Sequence, residues 1–170
     1  MESQLVNRVA SSGIVTLNLE DYFPKHDFLV FDISQFLFHG LILKEKEFRL
    51  ALKEEDWTTY SDKIILIQCS TDAIIPLWAY MLISNYLTGT AKDVFVGSQE
   101  EYIKSFMVNA LHGIDWTQYS DQRIVVKGCG NKPVPADAYA RITQLLRPFV
   151  KSIMFGEPCS TVPVFKKPLV

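Results

Sequence analysis

Three cysteines, Cys69, Cys129 and Cys159, are the residues of this sequence whose placement most clearly suggests chemistry. Each lies one to four residues after an apolar, β-branched run of the kind that forms a buried strand. In a parallel sheet the carboxyl ends of the strands lie at one edge, which is where ligands bind in open α/β folds. We therefore expect all three thiols at the same edge of one sheet, although they are far apart in the sequence.

Three converging thiolates form a metal-binding set. Zinc takes Cys thiolates in a tetrahedral site whose fourth position is open to Asp, His or water. Asp72, three residues after Cys69, is the predicted fourth ligand, and its alternative role is to cap a helix that begins near Ala73. The predicted metal ligands are therefore Cys69, Asp72, Cys129 and Cys159. Because iron–sulfur clusters are also held by thiolates, the predicted cofactor is zinc or an iron–sulfur species.

Two other interpretations of the cysteines stay open, because the thiols lack the C-x-x-C spacing that is typical of zinc sites. In the first, Cys129 or Cys69 is the nucleophile of a thiol-dependent enzyme or a sulfur carrier. Both precede predicted helices, whose free N–H groups lower the pKa of a thiol, and Lys127 and Lys132 flank Cys129. No histidine lies near either cysteine in the sequence to serve as a base. In the second, the cysteines are inert core residues of a structural or interaction domain.

An internal duplication organises the chain around these residues. Residues 51–97 match residues 110–156 without a gap, most clearly through the segments W-T-T-Y-S-D and W-T-Q-Y-S-D. Self-similarity over such a span indicates two copies of one supersecondary unit, at about residues 45–98 and 104–157.

Each copy is predicted to form an α-β-α-β unit. Apolar runs without alternation indicate strands covered on both faces, and alternating strands and helices indicate a parallel sheet. The predicted fold is a single α/β domain over residues 1–170, with a mostly parallel sheet flanked by helices and a C-terminal arm at 158–170. Residues 36–43 are either a strand or a buried helix. The predicted strands are 13–19, 28–33, 63–68, 93–96, 123–127 and 152–155, and the predicted helices are 45–55, 76–87, 100–112 and 135–148.

Composition narrows the classes of function. The chain has 170 residues, of which 48% are apolar and 21% charged, as is typical of one soluble domain. A formal charge of −2 gives no general attraction to nucleic acid or acidic membranes. The N-terminus lacks the pattern of a signal peptide, no apolar run approaches the ~20 residues of a membrane span, and an odd number of cysteines argues against a disulfide framework. We expect a cytoplasmic protein.

Three segments carry a specific resemblance: C-S-T-D-A-I-I-P-L-W-A-Y from Cys69, K-G-C-G-N-K-P-V-P from Lys127 and K-S-I-M-F-G-E-P-C-S-T-V-P from Lys151. The chain resembles, essentially end to end, a bacterial domain-of-unknown-function family, number 2480. That family has no assigned activity. The resemblance implies a cytoplasmic setting beside iron–sulfur cluster assembly, with assembly proteins as partners. Gly130 stands where many relatives are expected to have Ser.

The function predicted from the sequence is therefore a cytoplasmic accessory protein that binds zinc or an iron–sulfur species. The alternatives are the thiol-dependent enzyme or sulfur carrier and the structural domain described above. The loop 128–135, which is rich in glycine and proline, is the segment that we most expect to contact a ligand.

Overall fold

The computed structural model describes residues 13–128, 130–157 and 159–168, and it divides into two compact units. Unit 1 comprises Met1–Pro24 and Ile103–Val170, and unit 2 comprises Lys25–Tyr102. The strands are β1 (Ile14–Asn18), β2 (Phe28–Asp32), β3 (Ile64–Gln68), β4 (Asp93–Val96), β5 (Arg123–Lys127), β6 (Ser152–Glu157) and β7 (Ser160–Lys166). The α-helices are α1 (Glu45–Glu54), α2 (Leu77–Leu87), α3 (Gln99–His112) and α4 (Ala136–Leu146). The predicted α/β class with mostly parallel strands is confirmed.

Unit 2 is built on a three-stranded parallel sheet in the order β2-β3-β4. Residues 64–67 of the central strand are all buried, which explains why this run is apolar without alternation. The core of the unit also contains Phe48 from α1 and Ile83 from α2. Trp57 packs beside this core and stacks on Tyr86, with ring centroids 4.9 Å apart.

Unit 1 contains a four-stranded sheet in the order β1-β5-β6-β7. The first three strands are parallel, and β7 pairs antiparallel with β6. The extended arm predicted at 158–170 is therefore corrected, because its residues 160–166 form a strand at the edge of the sheet. Pro163 within it is compatible with an edge strand, where a missing N–H is tolerated.

The segments that match in the sequence also share local structure. The Trp57 Nε1–H donates to the Leu52 carbonyl oxygen at 2.9 Å, and the Trp116 Nε1–H donates to the Leu111 carbonyl oxygen at 3.0 Å. In both units the aspartate before the tryptophan caps a short 3₁₀ helix. These likenesses agree with two copies of one unit, and the duplication itself stays a prediction.

Two further expectations from the sequence need correction or restatement. Residues 36–43 form neither a strand nor a buried α-helix. Phe36 ends a 3₁₀ helix (Ile33–Phe36), and Phe38 pairs with Ile42 across a tight turn in which His39 and Gly40 have left-handed backbone (φ 52° and 71°). Such backbone interrupts any regular element. The prediction that one sheet carries all three thiols is wrong, because β3 and β5 belong to different sheets.

The expectation of one domain over residues 1–170 stays a prediction beside the division into two units. Within the described residues, no helix combines the length and apolar character that a membrane crossing requires.

Candidate functional site

The carboxyl ends of the parallel strands in unit 1 surround a small polar cavity, which we name the polar pocket. Its volume is about 140 Å³, and its lining comes from the ends of β1, β5 and β6 and from the loops that follow β1 and β5. Asn18 and Lys127 are paired in register at the strand ends, which brings both side chains to this edge. The lining residues are Asn18, Glu20, Lys127, Gly128, Gly130 and Glu157.

Glu20 ties the loop after β5 to the segment after β1. Its Oε1 accepts a hydrogen bond from the Gly130 N–H at 2.6 Å, and its own N–H donates to the Asn18 side chain at 3.2 Å. The Lys132 ammonium donates to the Glu20 carbonyl oxygen at 3.4 Å. A carboxylate has about four acceptor positions, so the bond to Gly130 leaves Glu20 able to bind a further group.

Lys127 and Glu157 form an ion pair at the opposite side of the polar pocket. The distance from Nζ to Oε2 is 3.5 Å, and the side chains are 35% and 60% exposed. An ion pair this exposed contributes at most about 1 kcal/mol. The pocket thus has two carboxylates and one ammonium group, and a cation could replace the ammonium group at little energetic cost.

Gly128 is buried and leaves no room for a side chain. A Cβ at this position would lie 2.7 Å from the Tyr139 hydroxyl oxygen and 3.1 Å from Cβ of Leu19. Only glycine therefore lets the backbone after β5 pass this close to α4. Gly128 fixes the path of the chain immediately before Cys129, which lies outside the described residues.

The corresponding strand ends of unit 2 are held together by hydrogen bonds. The Asp32 carboxylate accepts from the Ser34 N–H at 2.9 Å and from the Ser70 N–H at 3.0 Å. Burial acts to raise the pKa of Asp32, but the hydrogen bonds from Ser70 and Ser34 outweigh it and lower the pKa from 3.8 to about 2. Gln68 donates to the Gly97 carbonyl oxygen at 2.9 Å. Hydrogen bonds from neutral donors hold this edge of the sheet together, and we name the bonds to the Asp32 carboxylate the clasp.

The four predicted metal ligands are distributed over both units. Cys69 and Asp72 belong to unit 2. Cys69 is half-buried, with Sγ 3.4 Å from the Thr71 hydroxyl oxygen, and Asp72 is exposed. Because α2 begins only at Leu77, the interpretation of Asp72 as the cap of a helix near Ala73 is wrong.

Of the remaining two predicted ligands the structure describes only Cys159, which belongs to unit 1. Cys159 is exposed in the turn between β6 and β7, and Cys129 falls outside the described residues. Within the described part of the chain, no three His, Cys, Asp or Glu side chains gather closely enough to hold an ion. The assignment of the four ligands stays a prediction.

Sequence reasoning missed three residues of the polar pocket: Asn18, Glu20 and Glu157. A signal for the first was present, because L-N-L around Asn18 and F-D-I around Asp32 both place an Asn or Asp between two apolar residues at a strand end. These side chains each cap a 3₁₀ helix, and the apolar neighbours on both sides are buried. No comparable signal marks Glu20 and Glu157, whose roles depend on contacts with distant loops.

Comparison with known proteins identifies a family. The family model described as a protein of unknown function, DUF2480, matches residues 3–167. Neither a curated protein nor a solved structure matches the chain.

Proposed function

The chain belongs to the DUF2480 family of proteins of unknown function, and from this premise we propose that it is a metal-binding accessory protein with its metal site at the polar pocket of unit 1. The proposed metal is zinc or an iron–sulfur species. The proposed ligands are the thiolates of Cys129 and Cys159, with Glu20 and Glu157 as carboxylate ligands. The described side chains of this set do not gather closely enough in the structure to hold an ion, so the proposal requires them to move together when the metal binds. Thiolate and carboxylate oxygen are both donors that zinc accepts.

One observation carries this proposal: the residues on both sides of Cys129 in the sequence line the polar pocket. Gly128 and Gly130 are both lining residues, and the Gly130 N–H is held by Glu20. The proposal that Cys129 is a ligand rests on these two neighbours in the sequence.

Cys159 supports the same site from the neighbouring strand. It lies two residues after Glu157, another lining residue, and its side chain is exposed and thus open to an ion. Both thiols therefore belong by sequence to the strand ends that form the polar pocket. A cation bound between them and the carboxylates would take the place of the Lys127 ammonium beside Glu157.

Two ligand sets share these thiolates. The set predicted from the sequence completes them with Cys69 and Asp72, and the set proposed from the pocket completes them with Glu20 and Glu157. The second set is favoured because its carboxylates and both neighbours of Cys129 line one cavity within one unit. Substitution of Cys69 separates the two sets experimentally.

The setting of this function is part of the proposal. We place the protein in the cytoplasm beside iron–sulfur cluster assembly, with assembly proteins as partners, on the resemblance described above. Anaerobic co-purification with a tagged copy of this chain tests the partners. Recovery of proteins other than the assembly machinery would contradict this part and leave the metal site standing.

Metal content of the purified protein tests the site. We expect about one zinc, or the iron and sulfide of one cluster, per chain after anaerobic purification. Cys129→Ser and Cys159→Ser should each remove most of this metal, while the matched variant Cys69→Ser retains it. Loss of the metal in Cys69→Ser would favour the sequence-predicted ligand set. A wild-type protein without bound zinc or iron would overturn the proposal.

A thiol-dependent reaction or sulfur transfer at Cys129 is the second candidate. Lys127 and Lys132 are near in sequence, and both contact groups of the loop or the pocket: Lys127 pairs with Glu157, and Lys132 donates to Glu20. Ammonium groups near a thiol stabilise its thiolate. Rapid alkylation of Cys129 at pH 6 in metal-free protein, with Cys159 slower, would support this candidate. Equal and slow alkylation of all three cysteines would contradict it.

A further inference from the structure

Unit 1 contains a second cavity whose lining is almost entirely apolar, and we name it the apolar pocket. Its volume is about 260 Å³. Val126 and Phe155 reach it from β5 and β6, Tyr139 from α4 and Val164 from β7. The carboxylates and the lysine of the polar pocket are not among its lining residues, so it calls for a different class of ligand.

The wall that closes one side of the apolar pocket comes from β7. Ile153 pairs with Phe165 and Met154 pairs with Pro163, so Val164 is an extra residue at a bulge of β7. A bulge turns a side chain away from the regular alternation of a strand. In the described part of unit 2 the sheet has three strands and ends at β4, so that sheet has no strand that corresponds to β7.

The lining favours an aromatic ring over an aliphatic chain. The Tyr139 and Phe155 rings meet edge to face, with centroids 5.7 Å apart, and both border the cavity. Met154 adds a thioether, a group that packs well against aromatic rings. Rings that already lie edge to face present both an edge and a face to a third ring.

The mouth of the apolar pocket exposes apolar surface to water. Phe155 is 39% exposed and Val164 is 53% exposed. A ligand seated between them would remove this surface from water, which is the main source of affinity in such sites. An apolar cavity of about 150 Å³ already holds benzene, so 260 Å³ is enough for a fused two-ring molecule.

From these observations we infer that the apolar pocket of unit 1 is a binding site for a small aromatic molecule of one or two rings. The site uses β5, β6, β7 and α4 and requires no metal. It therefore stands or falls separately from the metal proposal, and metal-free protein is suitable for its test.

Titration with indole, followed by methyl NMR on the full-length protein, tests this inference. We expect saturable shifts of the methyl signals of Val126, Met154 and Val164, with a dissociation constant of about 1 mM or tighter. The variant Val164→Phe should fill the cavity and weaken indole binding at least tenfold. Val162→Phe is the matched control, because Val162 is 61% exposed on the same strand and does not line the cavity.

Three outcomes would overturn the inference. These are no saturable shift in the wild type, equal binding by the wild type and Val164→Phe, and equal weakening by Val162→Phe. Both variants change exposed positions, and thermal melting of each verifies that it folds. If Val164→Phe fails to fold, Thr143→Leu fills the same cavity from α4 and takes its place in the comparison.

Discussion

Two glycines let the backbone pass close to side chains that border the polar pocket. Gly128 runs against the Tyr139 hydroxyl, and the Gly130 N–H meets the Glu20 carboxylate. The two glycines around Cys129 thus have different roles. The first leaves space for α4, while the second donates a hydrogen bond that fastens the loop. At Gly130 a Cβ would press on Glu20, whose flexible side chain can move away, so the serine expected in many relatives is tolerable there.

Replacing Gly128 tests the first of these roles. We expect Gly128→Ala to lower the free energy of unfolding by about 1–3 kcal/mol, because the new methyl group collides with Tyr139. Gly113→Ala is the control, since its Cβ would meet nothing closer than 3.7 Å. Urea denaturation of both variants measures the difference. Equal stability of the two variants would contradict the close approach at Gly128.

The clasp at Asp32 makes a prediction about pH. Its pKa is lowered to about 2 in the folded protein from 3.8, so its stabilising effect is complete above about pH 4 and disappears as the pH falls towards 2. Asp32→Asn should therefore be less stable than the wild type at neutral pH, and the two should converge in that acidic interval. Thermal melting from pH 7 to pH 2 checks this, and a constant difference over the whole range would contradict it.

Helices and strands could be predicted where their own residues determine the structure. They could not be predicted where contacts with residues far away in the sequence determine it. The apolar runs of β3 and β5 and the amphipathic α1 and α4 were predictable from their own residues. The strand β7 was not, because its pairing depends on β6, and Pro163 within it and Pro168 after it argue for a loop. The prediction of a strand or a buried helix at residues 36–43 failed for a similar reason. These residues are mostly apolar, but left-handed backbone at His39 and Gly40 turns the chain back.

The two tryptophans that anchor the 3₁₀ helices make a prediction about these elements. Trp116 is buried and its indole N–H is bonded to Leu111, whereas Trp57 is half-buried with the equivalent bond to Leu52. Trp116→Phe leaves a buried carbonyl oxygen without its donor and should cost about 1–3 kcal/mol. Trp57→Phe should cost less. Urea denaturation compares them, and the reverse order would contradict the assignment of burial.

The residues predicted to carry chemistry are distributed over two units, and the sequence did not predict this division. The carboxyl ends of β3 and β5 were expected at one edge because strands of a single parallel sheet share their direction. The described residues form two sheets, and Cys69 belongs to one unit while Cys159 belongs to the other. Local periodicity specifies strands and helices but carries no information on how strands are shared between sheets. The polar pocket became visible only with the strand order.

X-ray absorption spectroscopy of the bound metal tests most directly the central claim, that a metal binds at the polar pocket through two cysteines, because it counts the sulfur atoms around the ion. For zinc-loaded protein we predict two sulfur neighbours at about 2.3 Å and oxygen at shorter distance, and a single sulfur neighbour for the small amount of zinc that Cys159→Ser retains. For an iron–sulfur species, Cys159→Ser should likewise change the iron coordination, while Cys69→Ser leaves it unchanged. A metal surrounded by oxygen and nitrogen alone would contradict the account.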